Sequence, residues 1–164
     1  MNIVLSGMMG SGKTTVAAAL SSFGYVTVDI DALIAERYGE INAIFANYGE
    51  ERFREIEAEV TVEVAQRYDG AVISLGGGCV LRSENVNNLK QSGKIFYLRA
   101  TADTIINRLR GDATRPLLQG DLEQKVNDIL ASRSEIYEKT ADVIIDTDGL
   151  TPVEIAIKIR EMTL

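Results

Sequence analysis

The sequence predicts an α/β fold in three layers, a five-stranded parallel sheet flanked by helices. Three observations carry that prediction. Short apolar, β-prone runs recur at Asn2–Ser6, Tyr25–Val28, Ala71–Leu75, Lys94–Leu98 and Asp142–Ile145, and helical patterns fill the gaps between them. The first run enters a glycine-rich turn and then a helix-prone stretch, Val16–Leu20. The chain has 164 residues, 46% of them apolar, which is enough for one core and too few for two comfortable ones. A single domain over residues 1–164 is expected, with no linker, repeat or low-complexity segment.

The turn after the first strand runs Gly7-Met8-Met9-Gly10-Ser11-Gly12-Lys13-Thr14. It matches the phosphate-binding pattern G-x-x-x-x-G-K-[ST] at every fixed position. Its glycines let the backbone curl so that successive N–H groups face phosphate oxygens. Lys13 then reaches the β/γ-phosphates, and the Thr14 hydroxyl offers an oxygen to Mg²⁺. Strand, glycine loop and helix N-terminus follow in the order that sets the helix dipole against the anion.

Asp29 and Asp31 follow the second run. Residues two apart in an extended segment share a side, so both carboxylates face the carboxyl edge of the sheet, where open α/β sheets bind ligands. One can hold Mg²⁺, usually through water; the other can orient or deprotonate an attacking hydroxyl. Asp31 is also suited to cap a helix over Ala32–Tyr38, and the two roles can coexist. The interval from Asp31 to Tyr68 is too long for a simple crossover. It must hold more than one helix, forming a lobe at about residues 31–60 beyond the sheet edge. From Glu51 on, Phe53, Ile56, Val60 and Val64 mark one apolar helix face. Arg54 and Glu57 stand three apart on that helix, and spacing alone favours an exposed ion pair.

Ile73-Ser74-Leu75 runs into Gly76-Gly77-Gly78, bare backbone that a substrate can approach closely, or else a flexible turn. The strand lacks the terminal Asp with which many P-loop ATPases help to hold Mg²⁺, and Asp29 or Asp31 is the replacement. Arg110 to Gly120 is polar, contains Gly111 and Pro116, and reads as a mobile loop between helices, a lid at about residues 110–120. Arg108, Arg110 and Arg115 flank or enter it. In the helix predicted over Asp121–Glu138 the apolar stripe runs Leu122, Val126, Ile129, Leu130, Ile136 and Tyr137, and Arg133 falls on it. A charge on an inward face needs a partner or a polar cleft; the alternative is snorkelling at the stripe edge. Thr151-Pro152-Val153-Glu154 marks the last helix with a capping box and a proline at the first helical position.

Composition excludes much else. The net charge is −7, so a general nucleic-acid or acidic-membrane binder is not expected, and any anion site must be a local cluster of Arg and Lys. The absence of histidine removes Ser-His-Asp triads and H-E-x-x-H zinc sites, leaving proton transfer to a carboxylate. The one cysteine, Cys79, forms no intrachain disulfide and reads as a packed apolar residue in a reducing, cytoplasmic setting. With the first strand at Asn2 and no apolar run near 18 residues, neither signal peptide nor membrane span is expected.

Together these motifs resemble the shikimate kinases, within the P-loop nucleoside-monophosphate-kinase-like group. The resemblance runs nearly end to end. It takes in the P-loop at Gly7–Thr14, the Asp29-Ile30-Asp31 pair, and Ile44-Phe45 leading through Gly49-Glu50 to Phe53-Arg54-x-x-Glu57. It continues with Gly76-Gly77-Gly78, Arg115-Pro116-Leu117-Leu118 and Arg133-x-x-x-Tyr137. The P-loop alone says only nucleotide, whereas this ordered set is far more specific. Ile30 departs from the small hydroxylated residue common there, without mechanistic consequence.

The resemblance implies that ATP with Mg²⁺ phosphorylates the 3-hydroxyl of shikimate, a step toward chorismate and the aromatic amino acids. Asp31 would hold the substrate hydroxyls and help deprotonate the attacking one. Arg54 and Arg133 would clamp the carboxylate beside the backbone of Gly76, Gly77 and Gly78, with Glu57 orienting Arg54. ATP would lie on Gly10, Ser11, Gly12, Lys13, Thr14 and Thr15, with Arg108 over the adenine and Thr147 to Pro152 as the other wall. Lys13 and Arg115 would stabilise the transferred phosphoryl group, and Thr14 and Asp29 would serve the metal. A closing lid would exclude water, and a monomer is expected. The rival readings are another small-metabolite kinase, such as a gluconate kinase, and a non-catalytic nucleotide-binding module.

Overall fold

The computed structural model describes residues 1–111 and 121–164. Strands β1 (Asn2–Ser6), β2 (Thr27–Asp29), β3 (Val72–Ser74), β4 (Gly93–Arg99) and β5 (Val143–Asp146) form a parallel sheet in the order β2-β3-β1-β4-β5. The helices are α1 (Lys13–Ser22), α2 (Ile30–Tyr38), α3 (Ile41–Arg67), α4 (Ser83–Ser92), α5 (Ala102–Arg110), α6 (Leu122–Thr140) and α7 (Pro152–Glu161). Central β1 pairs with β3 and β4, Val4 standing opposite Ile73 on one side and Ile95 on the other.

Alternation along the strands divides the apolar residues between two cores. Ile3, Leu5, Phe96 and Leu98 pack against α1 and α7 through Val16, Leu20, Ile155 and Ile159. Val4, Ile73, Ile95 and Tyr97 face the other way, onto Ile34, Val60, Leu89, Ile105 and Val126 of α2 to α6. Helices on both faces explain why the strands read as unbroken apolar runs. Each fully buried aliphatic side chain contributes roughly 1.5–3 kcal/mol, so this doubly covered sheet is the rigid frame of the site.

Residues 31–68 hold two helical elements, as their length requires. The second is broken at Gly49, whose φ of 84° and ψ of 169° lie outside the helical region. Arg37 of α2 donates to both oxygens of Glu63 of α3 at 2.6 and 2.7 Å, tying the lobe together. At α7 the predicted box is complete: the Thr151 hydroxyl accepts from Glu154 N–H at 3.2 Å, and the Glu154 carboxylate accepts from Thr151 N–H at 2.8 Å.

One cap differs from expectation. The helix after β2 starts at Ile30, and Asp29 caps it, its carboxylate accepting from Ala32 N–H at 2.9 Å. Asp31 therefore lies in the first helical turn, where an acid suits the dipole, and is neither extended nor the cap. Shared strand alternation does not aim the two carboxylates; one is placed by the strand end and the other by the helix. The lid at about 110–120, with Arg115, lies outside the described residues beyond Gly111. No described helix is long and apolar enough to cross a membrane.

Candidate active site

A cleft of about 710 Å³ opens at the carboxyl ends of β1, β2 and β3. Met8 to Thr15 apart from Ser11, Asp29, Asp31 and the Ser74–Gly77 segment line it, together with Arg108, Leu109 and Pro152. The expected nucleotide residues Gly10, Gly12, Lys13, Thr14, Thr15, Arg108 and Pro152 thus share one cavity with both aspartates. Ser11 is the exception. It is 2% exposed and packs under the loop, where a Cβ on Gly7 would stand 2.8 Å from its Oγ.

The loop conformation needs its glycines. Gly10 and Gly12 have φ of 82° and 102°, in the left-handed region that costs a residue with a Cβ. The N–H groups of Lys13, Thr14 and Thr15 in the first turn of α1 have no intrahelical acceptor, so an anion there is met by backbone donors and the dipole. Lys13 Nζ donates to the Gly7 carbonyl, which folds the ammonium over the turn. Arg108 of α5 donates to Gly10 O at 3.0 Å and stands over Gly12, at the place expected for a residue covering the base.

The residues expected at the acceptor gather around the three glycines, each opposed by a different side chain, with Gly78, Arg54 and Arg133 beside the cavity and not among its lining. A Cβ on Gly76 would come within 2.6 Å of an Asp31 carboxylate oxygen. On Gly77 it would stand 3.5 Å from Arg133 Nη1 and 3.6 Å from Tyr137 Oη. On Gly78 it would lie 2.5 Å from both terminal nitrogens of Arg54. The segment is a bare seat on which α2, α3 and α6 each lay one functional group. At Gly76 and Gly78 the space that a Cβ would need is taken by a carboxylate and a guanidinium, as a seat of bare backbone requires.

Glu57 corrects the surface-pair reading. Its side chain is 1% exposed, with Oε1 accepting from Arg54 Nη1 at 3.0 Å. Burial pushes its carboxyl above the ordinary value, while Arg54 pulls it back down. The Arg54 guanidinium also stacks over the Phe53 ring at 5.2 Å and approaches Glu50 at 3.6 Å. A partner buried beneath and a ring beside it hold the Arg54 guanidinium over Gly78. Cys79 is buried, its thiol pushed up to about 12 by desolvation, so it is inert packing as expected.

Among the described residues no group of three or more acidic, Cys or His side chains could cage a metal. An ion carried mainly by phosphate oxygens and water, with Thr14 and Asp29 at its side, fits such a donor set. The sequence reading missed two features. The Tyr137 hydroxyl, counted as part of an apolar stripe, donates to Gly77 O at 2.5 Å; a buried tyrosine needs such a partner, and that was the available signal. Asp148 takes hydrogen bonds from Thr101 N–H, Thr101 Oγ1 and Thr104 Oγ1, joining the loop before α7 to the start of α5; no pattern pointed to it.

Known proteins share this architecture. The family model described as shikimate kinase matches residues 9–163. A shikimate kinase of Thermodesulfovibrio yellowstonii is 46% identical over 161 residues, covering 96% of this chain and 92% of its own. The structure of shikimate kinase from Acinetobacter baumannii in complex with shikimate matches with a TM-score of 0.90 at 36% identity, over 99% of this chain and 92% of that one. A gluconokinase from Sinorhizobium meliloti shares the fold, with a TM-score of 0.63 at 19% identity over 96% of this chain and 88% of its own.

Proposed function

The chain belongs to the shikimate kinase family and catalyses shikimate phosphorylation with ATP, and from that premise we propose how its residues divide the work. Arg54 and Arg133 grip the substrate carboxylate from two sides of the glycine seat, bidentate guanidinium matching a planar anion. Glu57 holds Arg54 in place from below. The ring lies against Gly76, Gly77 and Gly78, which offer N–H groups and no side chain. Asp31 orients the 3-hydroxyl and takes its proton as the bond to phosphorus forms. The triphosphate lies on Gly10 to Thr15, with Arg108 and Pro152 bounding the base.

Lys13 follows the γ-phosphoryl group as it transfers, and Arg115 of the lid segment adds a second positive charge. Thr14 and Asp29 would hold Mg²⁺, which when bound would neutralise phosphate charge. One chain supplies every residue of this scheme, so we infer a monomer, and the buried free thiol suits the reducing cytoplasm.

The observation that carries this reading is the meeting of Asp31, Arg133 and Arg54, one per glycine, beside the phosphate loop. ADP release should be measured in parallel with shikimate, gluconate and nucleoside monophosphates. Turnover confined to shikimate is expected; an equal or higher kcat/KM for gluconate or a nucleotide acceptor overturns the assignment.

A further inference from the structure

Tyr137 lies on α6 one turn beyond Arg133, so the two share a face. It is 1% exposed, and its ring stacks on Tyr97 of β4 at 5.1 Å, which fixes the hydroxyl in space. That hydroxyl donates to Gly77 O at 2.5 Å. The Gly77 carbonyl and the Gly78 N–H belong to one planar trans peptide and point in opposite directions. Holding the oxygen therefore sets the direction of the Gly78 N–H. Among the described residues, neither Gly77 N–H nor Gly78 N–H meets a protein acceptor, so both remain available to a ligand. The Arg133 guanidinium lies beside the same hydroxyl, near enough for its charge to oppose the upward push of burial on the phenol.

We propose that Tyr137 is a positioning residue for the acceptor: its hydroxyl sets the Gly77–Gly78 peptide and the Arg133 guanidinium at once, so that backbone donor and carboxylate clamp keep one register. A glycine triplet is otherwise the least constrained peptide in the chain. The tyrosine supplies from outside the rigidity that the glycines give up to let the substrate approach. This inference rests on the shikimate reading and deepens it.

Tyr137→Phe keeps the ring and its stack on Tyr97 and removes only the hydroxyl. The shikimate KM should rise roughly tenfold, the worth of about one hydrogen bond, with kcat falling less and the ATP KM unchanged within about twofold. Thr140→Val is the control. Thr140 donates to Ile136 O at 2.7 Å and to the backbone Tyr137 O at 3.4 Å, both within the same helix, and does not line the cleft, so its loss should lower Tm while both KM values hold. A Tyr137→Phe enzyme with both KM values shifted alike, or neither, overturns the proposal, as does a Thr140→Val enzyme that copies the shikimate effect. In the unsubstituted protein labelled at tyrosine Cζ, the Tyr137 resonance should move on adding shikimate and not on adding ADP. Indifference to shikimate also overturns the proposal, whether or not the variant folds. Failure of the unsubstituted chain to turn over shikimate sinks the assigned reaction; turnover without the KM split sinks only the role of Tyr137.

Discussion

The two ends of the cleft are built on opposite plans. The proposed phosphate end is one continuous stretch, Gly7 to Thr15, and would bind largely through backbone whose shape is set by its own glycines. The acceptor end gathers Asp31 from α2, Arg54 from α3 and Arg133 from α6 onto a turn after β3. The first plan needs only local geometry. The second needs three helices packed correctly on the sheet, so its geometry can be damaged from a distance while the first stays intact. Donor and acceptor binding should therefore be separable by mutation.

Asp31→Asn should have the largest effect. It removes the proposed proton acceptor while keeping shape, so kcat should fall by about two to four decades with the ATP KM nearly unchanged. Rapid-quench turnover measures this, and near-normal kcat would take Asp31 out of the chemistry. Arg54→Ala should raise the shikimate KM by about 10- to 100-fold, the range of a charge-assisted hydrogen bond, and leave the ATP KM alone. Equal rises in both constants would mean that the two ends are not independent. The same change strips Glu57 of its partner; a stranded buried carboxylate costs about 3–5 kcal/mol if ionised, less once it takes up a proton.

The smallest effect concerns Glu57 itself. Burial holds its folded-state carboxyl above the ordinary 4.5 in spite of Arg54. The folded state thus binds this proton more tightly than the unfolded chain does. That contribution to stability is complete below pH 4.5 and is lost as pH rises through the folded value. Glu57→Gln has no such loss, so its Tm relative to the unsubstituted chain should climb across this window. A Tm difference that stays constant from pH 4.5 to 8 would show that Glu57 does not titrate in this way.

This contrast also explains what could be read from the chain. The phosphate loop was legible residue by residue, because contiguity and positive-φ glycines are written into the letters. The sheet was legible too, since strands covered on both faces leave unbroken apolar runs. Arg54 and Glu57 were underrated because i,i+3 spacing says that two groups meet and nothing about burial. The signal was nevertheless present: Glu57 lies four after Phe53 and three before Val60, on the apolar stripe itself. The cap at Asp29 was misassigned because Asp29 and Asp31 are equally good capping residues, and only the end of β2 decides between them. The Tyr137 hydroxyl faces a partner 60 residues away, a separation that no local pattern encodes.

The three consecutive glycines, identical as letters, carry unequal information. At Gly76 and Gly78 an added methyl group would occupy space already taken at 2.6 and 2.5 Å by a carboxylate and a guanidinium, so the hydrogen atom is itself the specification. At Gly77 the nearest neighbours begin at 3.5 Å, an ordinary contact distance, and alanine can be spelled there without collision. Within the triplet, a redesign toward a smaller acceptor can start at the middle position without displacing either neighbouring charge.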